Sequence, residues 1–175
     1  MSLVEEASKW TNTGDELFEK SSFKEALQCY EKALELFPRD IDLWNRKGLT
    51  LHELGLKEKA IECFDKVIDL FPRDTLAWNN KGVALNDLGR HAEAIRCFDE
   101  AIEIDPQDSA AWSNKGSSLG NLGWLEEAIE CFETAIKIDP KDAAAWYNKG
   151  ITLWVLERDA EAEAALTRAK ELGMW

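Results

Sequence analysis

Apolar and polar residues are distributed along this chain with two nested periods, a short helical one and a long one. In the stretch 75–108, Ala77, Trp78, Gly82, Leu85 and Leu88 recur at helical spacing and fall on one face. Asp74 stands just ahead, where its carboxylate can cap the N-terminus of that helix. Gly89 suits a left-handed C-cap, after which the chain reverses. Ala94, Ile95, Cys97, Phe98, Ala101, Ile102 and Ile104 then form the apolar arc of a second helix. That arc is wide, as expected of a helix covered by its own partner and by the next unit. Pro106 ends it, because proline has no amide to donate and its ring clashes one turn back. The stretch therefore predicts two antiparallel helices joined by a tight turn.

The long period is 34 residues. Trp10, Trp44, Trp78, Trp112 and Trp146 are spaced by it, and Gly14, Gly48, Gly82, Gly116 and Gly150 follow four residues later. Ala26, Ala60, Ala94, Ala128 and Ala162 keep the same step. Tyr30, Phe64, Phe98 and Phe132 come next, with Leu166 in the fifth copy, and Pro38, Pro72, Pro106 and Pro140 close the first four. This arrangement resembles the tetratricopeptide repeat (TPR), whose signature is Trp-x2-Leu-Gly-x2-Tyr, then Ala-x3-Phe, then Pro over 34 residues. The resemblance covers residues 7–175 and departs in three ways. Lys47, Lys81, Lys115, Lys149 or Thr13 replaces the Leu; Leu17, Leu51, Leu85, Leu119 and Leu153 replace the Tyr; the fifth copy has no closing proline. The resemblance implies an all-α, right-handed α-solenoid of five stacked helix-turn-helix units. Their expected limits are a lead at 1–6, then 7–40, 41–74, 75–108, 109–142 and 143–175. Glu163 and Lys170 hold registers that are Leu or Ile elsewhere, so the last helix reads as a polar cap. Met174 and Trp175 follow it, and Trp175 either folds onto the chain's own end or serves self-association.

The family implies a concave groove lined by the first helices. Its sixth register holds Asn12, Arg46, Asn80, Asn114 and Asn148. A carboxamide both donates and accepts, so it can pair with the backbone of an extended peptide regardless of side chains. The series resembles the asparagine ladder of peptide-binding members, interrupted by Arg46; the alternative is that these amides satisfy groups in their own stack. Asn45, Asn79, Tyr147, Ile151 and Trp154 are further candidates for the lining. The lining changes from Asp15, Glu19, Asp42, His52 and Glu53 near the N-terminus to Tyr147, Ile151, Trp154 and Val155 in the last unit. Tyr147 and Trp154 are expected to seat an apolar side chain, with Trp154 covered by the C-terminal tail as the alternative. The family's clamp for acidic chaperone termini needs lysines at the fifth register and basic residues beyond. Thr11, Asn45, Asn79, Ser113 and Tyr147 stand at the fifth register, so that partner class is not expected.

Charge narrows the partners. Twenty-one basic against 34 acidic residues give a net charge of −13, which repels phosphate backbones and anionic membranes. Neither nucleic acid nor membrane is an expected partner, whereas neutral or basic polypeptide is. The N-terminal Met-Ser-Leu-Val-Glu-Glu lacks the basic and apolar blocks of a secretory signal, which suggests a cytoplasmic protein. Cys29, Cys63, Cys97 and Cys131 occupy one register of four repeats, a helix pair apart, too far for disulfides or a zinc site. They are expected to be small buried hydrophobes. The four repeated lysines read as solvated or snorkelling ammonium groups on buried stems. His52 and His91 are isolated, no phosphate loop occurs, and neither enzyme activity nor a cofactor is expected. The function expected is a scaffold binding an extended neutral or basic peptide; the alternative is a self-assembling module that forms a weak homo-oligomer through its terminal faces.

Overall fold

The computed structural model describes residues 2–174. They form α1 (Leu3–Glu19), α2 (Phe23–Leu36), α3 (Ile41–Glu53), α4 (Lys57–Leu70) and α5 (Thr75–Asp87). Then come α6 (His91–Ile104), α7 (Ser109–Asn121), α8 (Leu125–Ile138), α9 (Ala143–Val155) and α10 (Asp159–Glu171). No strand occurs among the described residues. The chain divides after Leu88 into two compact units. In the first unit α1 packs on α2, α2 on α3, α3 on α4 and α4 on α5. In the second, α6 packs on α7, α7 on α8, α8 on α9 and α9 on α10.

Local chemistry sets the helix ends. Asp40, Asp74, Asp108 and Asp142 accept hydrogen bonds from the amides of Leu43, Ala77, Ala111 and Ala145 at 2.7–3.1 Å. Each satisfies one amide that the first helical turn leaves unpaired. Ser2 and Glu5 form the equivalent cap of α1 as a reciprocal capping box. The reversal after each first helix needs a left-handed residue. Gly55, Gly89 and Gly123 supply it with φ of 74°, 74° and 81°, whereas Ser21 and Glu157 adopt it with side chains, at 58° and 59°.

Packing explains the repeat signature. A Cβ on Gly14, Gly48 or Gly116 would lie 2.5–2.7 Å from the ring of Tyr30, Phe64 or Phe132, and one on Gly150 would lie 2.7 Å from Leu166. Those rings are almost wholly buried. The indole N–H of Trp44, Trp78, Trp112 and Trp146 donates to the carbonyl of Pro38, Pro72, Pro106 and Pro140 at 2.9–3.2 Å. Tryptophan and proline thus recur together because the indole ties down the loop in which the proline stands.

The repeated lysines are paired instead of solvated. Lys47, Lys81, Lys115 and Lys149 contact Glu31, Asp65, Asp99 and Glu133 at 2.6–3.0 Å. Each ammonium also lies 5.5–5.9 Å from the centroid of the tryptophan three residues earlier. Every such clasp joins a first helix to the second helix of the preceding hairpin. With half-exposed carboxylates each pair contributes about 0.2–1 kcal/mol, the cation–π contact about as much again. The four cysteines are buried and free. Burial pushes the Cys63 and Cys131 thiols up to about 11, which keeps them protonated and unreactive.

Candidate ligand-binding faces

One contact recurs on the first-helix face of each unit. The sixth-register residue of one repeat meets the ninth-register residue of the repeat before, 31 positions earlier. In the second unit Asn148 Nδ2 lies 3.4 Å from Ser117 Oγ, a long and weak bond. In the first unit the same step brings Arg46 Nη1 onto Asp15 Oδ1, which also accepts from the Tyr30 hydroxyl at 2.7 Å. Burial, and then the bond to Asp15, push the Tyr30 phenol well above its ordinary value. From Asn80 the step of 31 arrives at Leu49, which offers no acceptor, and Asn80 Nδ2 is buried without a partner.

Each of these contacts edges a cavity. In the first unit Asp15, Phe18, Glu19, Tyr30, Arg46 and Leu49 line 240 Å³. Three 34-residue steps later in sequence, Ser117, Gly120, Asn121, Phe132, Asn148 and Ile151 line the corresponding space in the second unit. That cavity measures 290 Å³ and extends to Tyr147 and Val155, with no charged side chain in its wall. A further cavity of 350 Å³ in the first unit lies between Val4, Asn12, Phe37, Asp42 and Arg46.

The candidates named from the sequence are thus distributed unequally. Tyr147, Asn148 and Ile151 meet in one cavity, with Asn114 part-buried on the neighbouring helix α7. Asn12 is exposed, and Asn79 and Asn80 are part-buried on α5. Arg46 does not stand ready for a ligand, because Asp15 already holds its guanidinium. Asn45 is 5% exposed and faces the interior, with Oδ1 unpartnered, which removes its side chain from the lining. Trp154 is 61% exposed, so the described part of the tail does not cover it. It lines a separate space of 580 Å³ with Asp159, Ala162, Glu163, Leu166 and Lys170, away from Tyr147. Glu163 and Lys170 are exposed there, and Trp175 lies outside the described residues. Phe18, Tyr30, Gly120 and Phe132 complete the cavities, and the repeat signature does not single them out as lining; comparing the twelfth and twenty-fourth registers across repeats raises them. Asp87, on α5, accepts from His52 Nε2 at 2.9 Å and lies 3.7 Å from Lys57 Nζ. No group of three His, Cys, Asp or Glu side chains able to hold a metal occurs among the described residues. Nor is any of their helices long and apolar enough to cross a membrane.

Family models described as tetratricopeptide repeat match residues 41–74 and 75–108, and, in a second form, 97–130. A model described as TPR repeat matches 14–55 and 121–156. The chain belongs to the tetratricopeptide repeat family. Solved TPR-fold structures agree in backbone. MamA, residues 41 to the end, from Desulfovibrio magneticus RS-1 superposes with a TM-score of 0.85 at 23% identity, covering 98% of this chain and 97% of that one. Pseudomonas aeruginosa PilF gives 0.87 at 19%, covering 98% and 78%. YrrB, described as a TPR protein with an unusual peptide-binding site, gives 0.71 at 26%, covering 94% and 84%. No curated protein matches the sequence. TPR proteins serve as protein-interaction scaffolds.

Proposed function

We propose that this TPR chain is an adaptor that binds an extended, neutral or basic polypeptide segment on its first-helix faces. The observation that carries the reading is the uncharged cavity of the second unit, where Tyr147 and Ile151 flank an asparagine whose amide makes only a long bond. Asn148, with Asn114 one repeat earlier, is placed to pair with a ligand backbone, and the apolar wall to hold a side chain. The likeness to YrrB, at 26% identity, points the same way. In the first unit Asn12 and Asn80 hold the corresponding registers. Glu19, Asp42 and Glu53 are exposed there and favour a basic segment, while Asp15 and Asp87 are engaged by the protein's own cations. Each of the segments 7–40, 41–74, 75–108, 109–142 and 143–175 would supply one first helix. The test is capture of partners by the wild type and by the double variant Asn114→Ala/Asn148→Ala. The expected result is weakened capture at unchanged Tm; equal capture would take these amides out of the site.

A second reading, self-association, is favoured by the exposed Trp154 beside a 580 Å³ space on α9 and α10. Sedimentation at several concentrations tests it. A dimer that Trp154→Ser dissociates supports this reading, and a monomer throughout removes it.

A further inference from the structure

The penultimate residue of each first helix is Phe18, His52, Asn86, Gly120 or Trp154. Phe18 fills part of its cavity, His52 bonds Asp87, and Trp154 walls the space over α10. Gly120 is the one position of this register without a side chain, and neither backbone nor packing demands that. Its φ is not among the positive ones, and it lies inside α7. An added Cβ would meet one atom, Ala128 Cβ, at 4.0 Å, an ordinary contact. The helical glycines Gly14, Gly48, Gly116 and Gly150 differ, since each has a ring or a leucine within 2.7 Å of that point. Glycine is also a poorer helix former than every residue but proline. What its bareness does is open the uncharged cavity between α7, α8 and α9.

We infer that Gly120 forms a notch that admits one large uncharged side chain, aromatic or branched aliphatic, from the bound segment. This rests on the peptide reading above and narrows it to a ligand class. The volume fits: a cavity of about 150 Å³ suffices for benzene, and this one measures 290 Å³. The chemistry fits as well. Phe132, Ile151 and Val155 give an apolar wall, and no ion pairs with a charged ligand group, whereas the same registers of the first unit carry Asp15, Glu19 and Arg46. A charged side chain would lose its hydration there without compensation. Asn148, held only by a long bond to Ser117, leaves the ligand backbone a polar partner in the lining.

The test uses the full chain and acetylated nine-residue peptides of Ser, Gly and Ala with Phe, Ala, Asp or Lys at the centre, titrated by NMR. The Phe peptide should shift the amides of Gly120 and Ile151 and bind at least tenfold tighter than the other three. Gly120→Leu should lower its affinity about tenfold, and Gly120→Ala, which keeps the helix and raises Tm, by a smaller factor. Unchanged affinity in both variants, or an Asp peptide bound as well as the Phe peptide, overturns the notch. Asn148→Ala separates the two ideas. Binding that needs Asn148 but ignores residue 120 sinks the notch alone; binding that needs residue 120 but ignores Asn148 leaves the notch and removes the backbone-pairing amide. No shift with any peptide at millimolar concentration overturns both.

Discussion

The cavity of Asp15, Phe18, Tyr30 and Arg46 and that of Ser117, Gly120, Phe132 and Asn148 hold the same registers in different units, and their chemistry is opposite. In the first, the ring gains a hydroxyl, the asparagine becomes arginine, and the ninth-register residue becomes the aspartate that joins them. The protein is its own ligand there. In the second, the phenylalanine carries no hydroxyl, Ser117 donates to the Ser113 carbonyl at 3.1 Å, and Asn148 makes one long bond to Ser117 beside 290 Å³ of space. A single helical scaffold thus gives one site closed by internal pairing and another open to a partner. All six aligned lining positions differ, and three of them, Asp15, Tyr30 and Arg46 against Ser117, Phe132 and Asn148, make or remove the internal pairing.

Experiments that break this comparison can be ranked by expected effect. The largest belongs to what the two regions share, the ring over the repeat glycine. Phe132→Ala should cost about 3–5 kcal/mol in chemical denaturation, because Phe132 is wholly buried against Gly116. Asp15→Ala comes next. It strands the Tyr30 hydroxyl and the Arg46 guanidinium and should cost about 1–3 kcal/mol, whereas Ser117→Ala in the second unit should cost less than about 0.5 kcal/mol. Equal losses would show that both cavities are structural.

Alkaline pH gives a smaller, signed difference. Cys63 and Cys131 have folded pKa values raised to about 11, so the unfolded thiols ionise first. Their contribution is full below pH 9 and falls as pH rises toward 11, with Cys29, also raised by burial, adding to it in the first unit. Tyr30 is raised above its ordinary 10 and adds a further loss above that pH in the first unit alone. Tyr30→Phe should remove this later loss from a Tm-against-pH series and leave the earlier one. The smallest effect is at the reversals. Ser21→Gly and Glu157→Gly should each stabilise by about 0.5–1 kcal/mol, because both residues sit at positive φ where the other repeats have glycine.

The helices were legible because their signals are local: aspartate before each first helix from the second repeat on, glycine after three of them, proline past the second. The alignment of tryptophan with proline was visible, but not the indole-to-carbonyl bond that causes it. Lysine read as solvated because its acid lies 16 residues back, on another helix. Arg46 looked like a gap in a series of amides; its partner Asp15, 31 positions away and shared with the Tyr30 hydroxyl, became apparent only with the helices packed. Tyr147 and Trp154 are two helical turns apart and read as one lining, yet α10 draws Trp154 into a different space. Gly120 was hidden beside the signature glycine Gly116, and only the missing contact distinguishes the two.

The most direct measurement is an amide shift map of the full chain with a segment of its captured partner. Shifts should cluster at Ser117, Gly120, Asn148 and Ile151, with the Tyr30 and Arg46 signals unmoved. A map centred on Asp15, Tyr30 and Arg46, with the Asn148 region silent, would contradict the assignment of open and closed sites.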